Sequence, residues 1–353
     1  MFKSAAASVA RRMGLGVVLI VAASACLLLS DWKQRSGHAG RVAQVAIFQF
    51  SSVTLLDDGV RGLLDRLRQK GIVEGRDAHF ERFNAQDEMA TANSIARELV
   101  SGKYDYIFTI STNCLQVVAN ANRDGRVKHI FGVVADPIAA RVGIVPNDPL
   151  GHPKHLVGVG SLMPVEEILS AARRFNPRVK RLGLPWNPAQ ANSEKYAQMA
   201  RAAARTMGME LLEGSVGNTT EVGQVTASLV ARGADVILAL GDLTVAVGID
   251  AVVAEARKGK IPVLSILTDT VAHGALFAAG ADFYQVGEQM GDMAAVALGG
   301  EDIARIPLVY DVPKTYAVNL LALEGLKDNW RIPDDMIARS NLVIDRTGKH
   351  KKE

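Results

Sequence analysis

Short apolar runs alternate with helix-period stretches along most of the chain. Val42 to Phe50 reads as a buried strand whose end is marked by the polar Gln49, Ser51 and Ser52. Leu55 to Lys70 follows with Val60, Leu63, Leu64 and Leu67 at helical spacing, and Gly71 stops it. The same alternation predicts strands at 77–84, 104–110 and 128–134, with helices at 88–101 and 115–124 between them. Pro146 to Lys154 is rich in Pro, Gly and Asp and reads as a surface loop, and 155–161 leads onward.

A second unit repeats the pattern. Helices are expected at 164–175, Ser193 to Met207 (with Ser193 as cap), 220–232, 245–259 and 284–298. Strands are expected at 179–184, 209–215, 235–240, 261–267 and 274–280. Strands joined by helices run parallel with right-handed crossovers, so the class is α/β. The expected divisions are a leader and linker at 1–40, one lobe at 41–160 and a second at 161–305. Residues 306–353 are expected to return to the hinge and the first lobe, with 308–310 and 316–321 as the later crossings.

Polar clusters stand at the strand ends, where open parallel sheets bind ligands. In the first unit these are Ser111, Thr112 and Asn113, with Asp136 before Pro137. In the second they are Asn187 to Ser193 and Gly241 to Thr244. Asn187, Asn192 and Ser193 beside a helix start suit a carboxylate. Asp242 can accept from an ammonium, and Thr244 can donate beside it. Such an arrangement fits amino-acid recognition, against the alternative that Ser193 is only a cap and Asp242 only a turn residue. Phe50 reads as core, Trp186 as a candidate pocket wall, and Asp269 equally as site lining or surface turn.

Composition narrows the classes. The 353 residues suggest two domains, and 48% hydrophobic with only 5% aromatic content implies an aliphatic core. Five of the 40 basic residues but only one of the 37 acidic ones precede residue 41, so the remainder holds 35 against 36. No basic stripe is left for nucleic acid, and Lys349 to Lys352 reads as a solvated tail. Gly14 to Ser30 carries no charge and follows Lys3, Arg11 and Arg12, as in an export signal. Cleavage, lipidation at Cys26 and retention as an anchor compete. Leu27 to Leu29 and Trp32 favour the anchor, with the body on the outer face of the inner membrane. The body then holds one thiol, Cys114, which reads as a small buried residue. Phosphate-loop, zinc-protease and nucleophile-elbow motifs are absent from the sequence, and the seven His are scattered, so no cofactor or metal is expected.

Five segments in order carry a family resemblance: 136–140, 187–193, 241–245, 270–276 and 282–291. Over roughly residues 41–345 the chain resembles the ABC-transporter substrate-binding family that includes tryptophan- and tyrosine-binding proteins. Asn187 to Ser193 is its most specific part, being similar to the family's Asn-Pro-Gly-Glu-Ala-Asn-Ser. Ala189-Gln190 departs from Gly-Glu, Leu243 from Asn, and Asn113-Cys114 from Thr-Pro. The resemblance implies a type I periplasmic-binding fold: two Rossmann-like lobes, parallel sheets flanked by helices, hinged around a central cleft. Carried over by position, Asn192, Ser193, Asp242 and Thr244 would touch ligand from the second lobe, and Ser111, Thr112 and Asp136 from the first. The expected function is non-enzymatic capture of a small polar solute, an aromatic or branched amino acid first, for an ABC permease in the inner membrane. A membrane-anchored sensor module is the alternative. A two-lobed racemase is disfavoured because the body holds a single cysteine.

Overall fold

The computed structural model describes residues 42–163 and 165–352. The leader, with its candidate signal and Cys26, lies outside them. Among the described residues no helix is long and apolar enough to cross a membrane.

The first sheet comprises β1 (Ala43–Gln49), β2 (Ala78–Asn84), β3 (Tyr106–Ile110), β4 (Lys128–Val134) and β5 (Leu156–Gly160), in the order β2-β1-β3-β4-β5. All four pairings are parallel. Every residue of β3 and β5 is buried, as expected of strands covered on both faces. Helices α1 (Thr54–Gln69), α2 (Met89–Leu99) and α3 (Thr112–Ala121) connect the strands.

The second sheet has eight strands, in the order β13-β12-β11-β10-β9-β8-β6-β7. Its parallel part is β6 (Arg181–Trp186), β7 (Glu210–Ser215), β8 (Val236–Ala239), β9 (Val263–Ser265) and β10 (Phe277–Ala281). Helices α4 (Val165–Phe175), α5 (Ala191–Thr206), α6 (Val222–Ala231), α7 (Leu243–Val247) and α8 (Ile249–Lys258) belong to this lobe. The single helix expected over 245–259 is broken at Gly248 into α7 and α8. The helix expected from Leu115 starts instead at Thr112, because the Ser111 hydroxyl caps it.

The late chain differs from expectation in two ways. Helix α9 (Phe283–Leu298), assigned above to the second lobe, packs along α1 and against β4 and β5 of the first. Glycines permit this approach: a Cβ at Gly62 would lie 2.0 Å from the Tyr284 carbonyl oxygen, and one at Gly287 2.2 Å from that of Gly59. Conversely, residues 306–353 do not return wholesale to the first lobe. Leu308 and Val309 run beside it, with the Val309 N–H on the Gly158 carbonyl and the Gly160 N–H on that of Val309. The chain then adds β11 (Lys314–Asn319), β12 (Leu342–Asp345) and β13 (Gly348–Lys351) to the second sheet, with α10 (Asp334–Arg339) between β11 and β12. β11 lies antiparallel to β10, an open edge that a chain re-entering from the other lobe reaches in the opposite direction. Among the described residues three stretches of chain therefore lead between the lobes: from the end of β5 through 161–163, at 281–283, and at 298–314.

Candidate functional site

The carboxyl ends of both parallel sheets meet across a cavity. The first lobe lines it with Leu55 and Leu56 of α1, Ser111 and Thr112 at the start of α3, and Val133 and Ala135 at the end of β4. Asn192, Tyr196, Gly241, Leu243, Ile266 and Leu267 line it from the second. Ser161, Met163 and Phe283, on two of the crossing segments, complete it. The wall is mostly apolar with a few neutral polar groups.

Two first-lobe residues hold strained backbone there. Ser111 has φ 124 while its Oγ accepts from the Cys114 N–H at 3.2 Å. Val133 has φ 54, an outlying value for a β-branched residue, where the pairing of β4 with β5 shifts register. Strain of this kind is held in place by its surroundings and clusters at ligand sites. Asn113 and Cys114 are buried behind the helix start. Burial pushes the Cys114 thiol far above its usual range, leaving it protonated.

The second-lobe residues singled out from sequence form one polar network. The Asp242 Oδ2 accepts from the Asn187 N–H and the Ser193 hydroxyl, and its Oδ1 accepts from the Val245 N–H at 3.0 Å. Burial raises the proton affinity of this carboxyl, and those donors pull against it. Thr244 Oγ1 accepts from Asn187 Nδ2 at 3.0 Å and from Gln190 Nε2 at 2.8 Å. Ser193 is not the helix cap expected: α5 begins at Ala191 after Gln190, and the Ser193 hydroxyl turns to Asp242. The five-residue turn Asn187 to Ala191 starts the helix early, since Pro188 has no N–H to satisfy and the Asn187 Oδ1 takes the Ala189 N–H at 2.9 Å.

Of this network, Asn192 reaches the cavity wall. Its Nδ2 donates to the Gly241 carbonyl at 2.8 Å, and its Oδ1 is buried without a partner among the described residues. Asp136 has another position again. Its Oδ1 accepts from the Ile138 and Ala139 N–H groups at 2.9 and 3.1 Å, while its Oδ2 meets Lys195 Nζ of the opposite lobe at 2.8 Å.

Trp186 is buried outside the cavity lining, with the Arg201 guanidinium over its ring at 5.1 Å. Phe50 is core. Asp269 sits in a two-turn 3-10 segment at 268–273 and receives a hydrogen bond from Thr54 of the first lobe. The apolar lining from α1, Met163, Tyr196, Ile266 and Phe283 was not singled out from sequence. Those residues carry the same signal as core positions, and strand-end placement was their one distinguishing mark.

Two α/β lobes joined by three crossings, with a polar-tipped cavity between strand ends, define a two-lobed solute-binding protein. Residues 44–343 match the family profile of the ABC transporter substrate binding protein, and the chain belongs to that family. A tyrosine-binding protein of Clostridioides difficile is 28% identical over 264 residues, covering 75% of each chain. A conserved domain protein from Vibrio cholerae has a structure with TM-score 0.79 at 30% identity, covering 86% of this chain and 100% of that one. An ABC domain from Streptococcus pneumoniae, solved in complex with L-Trp, also has TM-score 0.79, at 23% identity over 86% of this chain and 100% of that one. Its likeness bears on the fold, which is that of the type I periplasmic-binding proteins. Membership in the family implies a small-molecule ligand, an ABC permease as partner and a place outside the cytoplasm.

Proposed function

We propose that the chain is the receptor of an ABC importer that captures a free amino acid by closing its lobes. The observation that carries this reading is the cavity itself. Two helices, α3 and α5, begin at its opposite walls, so N–H groups carrying partial positive charge approach from both lobes. They suit a ligand carboxylate, with the Thr112 hydroxyl beside one helix start. The apolar lining suits a hydrocarbon or aromatic side chain. The tyrosine-binding relative supports an amino acid over a sugar.

The reading is of a receptor without chemistry of its own. Among the described residues lining the cavity there is no His, Cys, Lys or Asp to act as base or nucleophile. Affinity would come from exclusion of water and from hydrogen bonds completed on closure. The N-terminal segment would export the body and, if retained, tether it to the outer face of the inner membrane near the permease.

A thermal-shift screen of the purified protein against the common L-amino acids, sugars and nucleosides tests the reading. An amino acid that binds only the folded state raises the melting temperature with concentration. Stabilisation by sugars alone, with no response to any amino acid, would refute it.

A further inference from the structure

The cavity between the lobes is small, and its walls are held from behind. Its volume is about 40 Å³, room for about three or four waters at roughly 10–15 Å³ each. An apolar cavity that takes a benzene ring measures about 150 Å³. Most of the wall is bulky aliphatic side chain, with Leu55 and Leu56 from the first lobe and Leu243, Ile266 and Leu267 from the second.

These walls cannot retreat without repacking. The Tyr196 ring and the Ile266 side chain lie directly on Gly241, where a Cβ would stand 2.6 Å from Tyr196 Cε2 and 2.9 Å from Ile266 Cδ1. The Tyr196 hydroxyl accepts from the Met163 N–H of the crossing segment at 3.4 Å. Val133 presses on α1, where a Cβ at Gly59 would stand 2.6 Å from its Cγ2. Leu56, Met163, Tyr196 and Ile266 are all buried. A close-packed interior of this kind resists even one added methylene. The lobes are also tied across the cleft, by Lys195 on Asp136 and by the hydrogen bond from Thr54 to Asp269.

The polar part of the wall is equally restrictive. Among the described residues no Lys, Arg, His, Asp or Glu lines the cavity. The side-chain groups on offer are neutral: the Ser111 and Thr112 hydroxyls and the Asn192 amide. Asn192 Oδ1, in a residue 6% exposed, is buried and has no donor. A ligand with a charged side chain would bury that charge unpaired. A zwitterion with an uncharged side chain brings no net charge, and its ammonium supplies the donor that Asn192 Oδ1 lacks.

We infer that the captured solute is an amino acid with a short, uncharged aliphatic side chain, of the size of alanine to valine, and that the wall of Tyr196, Leu243 and Ile266 sets this limit. A longer side chain would stay in water at the mouth or force packed residues apart, and an aromatic ring exceeds the space outright. This inference rests on the amino-acid reading above and names the class of amino acid.

The test is titration calorimetry of the wild type and Leu243→Ala against L-alanine, L-valine, L-leucine, L-phenylalanine, L-lysine and L-glutamate. Leu243 opens α7, and alanine keeps the helix while enlarging the cavity. The wild type is expected to bind L-alanine or L-valine tightest and the longer or charged probes at least about tenfold more weakly, the scale of a surplus methylene in a filled pocket. Leu243→Ala is expected to gain about tenfold or more for L-leucine relative to L-alanine. A cooperative melt of the ligand-free variant checks that it is folded; without one, the wild-type series decides alone. Wild type that binds L-leucine, L-phenylalanine or either charged probe as tightly as L-alanine and L-valine overturns the inference and leaves the amino-acid reading standing. A folded Leu243→Ala with the wild-type order and spacing of affinities overturns the role of this wall. Wild type that responds to none of the common L-amino acids in a thermal-shift screen removes the reading and this inference with it.

Discussion

Lys195 Nζ lies 2.8 Å from Asp136 Oδ2, and the two residues belong to opposite lobes. Asp136 is the more deeply placed, with a side chain 9% exposed against 31% for Lys195. The Asp136 carboxylate also caps the turn after β4, so its position is fixed and the lysine comes to it. Lys195→Ala should leave that carboxylate unpaired and weaken the contact between the lobes by about 1–3 kcal/mol, between the exposed and buried cases. Small-angle scattering of the ligand-free variant should show a larger radius of gyration than the wild type. An unchanged profile would mean that the pair contributes nothing to the lobe equilibrium.

Asp242 organises the second-lobe wall, and that role has its own signature. Asp242→Ala removes the acceptor for the Asn187 N–H, the Ser193 hydroxyl and the Val245 N–H at one stroke. The ligand-free protein should lose about 2–4 kcal/mol in urea unfolding, from a lost cap and buried donors left unmet. A carboxylate serving ligand alone would show no such loss before ligand is added.

Helix α9 tests the assignment of its packing to the first lobe. Gly62→Ala and Gly287→Ala each force a methyl against a backbone carbonyl of the facing helix. Backbone cannot move aside as a flexible side chain can, so each should destabilise by about 1–3 kcal/mol. Gly223→Ala in α6 meets its nearest atom, the Ala251 Cβ, at 3.4 Å. There the helix propensity of alanine should dominate and stabilise by about 0.5–1 kcal/mol. Thermal melts of the three variants should show these opposite signs.

His129 gives the first lobe a sensitivity to acid. It is fully buried on β4, hydrogen bonded through Nε2 to Thr109 at 2.8 Å, with Nδ1 unpartnered. Burial first, and the neighbouring His155 second, push it down to about 3. In the unfolded chain it protonates near 6.5, so between these values the unfolded state holds the extra proton. Its contribution to stability is therefore present above about pH 6.5 and is lost as the pH falls toward 3, by at most about 1.4 kcal/mol per unit. Asp242 and Asp269, both raised by burial, oppose this at the acid end. His129→Gln should flatten the fall in melting temperature between pH 6.5 and 5. A slope identical to the wild type would place the acid sensitivity elsewhere.

Much of the first unit was legible in the chain. The strand at 128–134 was read at its true bounds, and the strands and helices around it shifted by a residue or two at most of their ends. Apolar runs between glycines and polar strand ends are local signals, and a parallel sheet buried on both faces leaves them strong. The late chain was harder. Nothing in the period of 283–298 distinguishes a helix packed on its own sheet from one packed on the other lobe. The spacing of glycines on α1 and α9 has meaning only once the two helices are placed together.

The candidate site divides in the same way. Ser111, Thr112 and Asn192 stood out because polar residues at strand ends are unusual in an aliphatic chain, and all three line the cavity. Asn187, Ser193, Asp242 and Thr244 stood out for the same reason but are turned toward one another.

Hydrophobic period and strand-end polarity, both properties of neighbours along the chain, determined that this is a two-unit α/β protein with its polar residues gathered at one edge of each sheet. Tertiary structure alone decided which lobe owns α9 and β11 to β13, and which oxygens already have their donors. Those are relations between segments that are not neighbours along the chain, from the strand pairings of β11 to β13 to the packing of α9 on α1 more than two hundred residues away, and side-chain direction and solvent exclusion fix them only once the chain is folded.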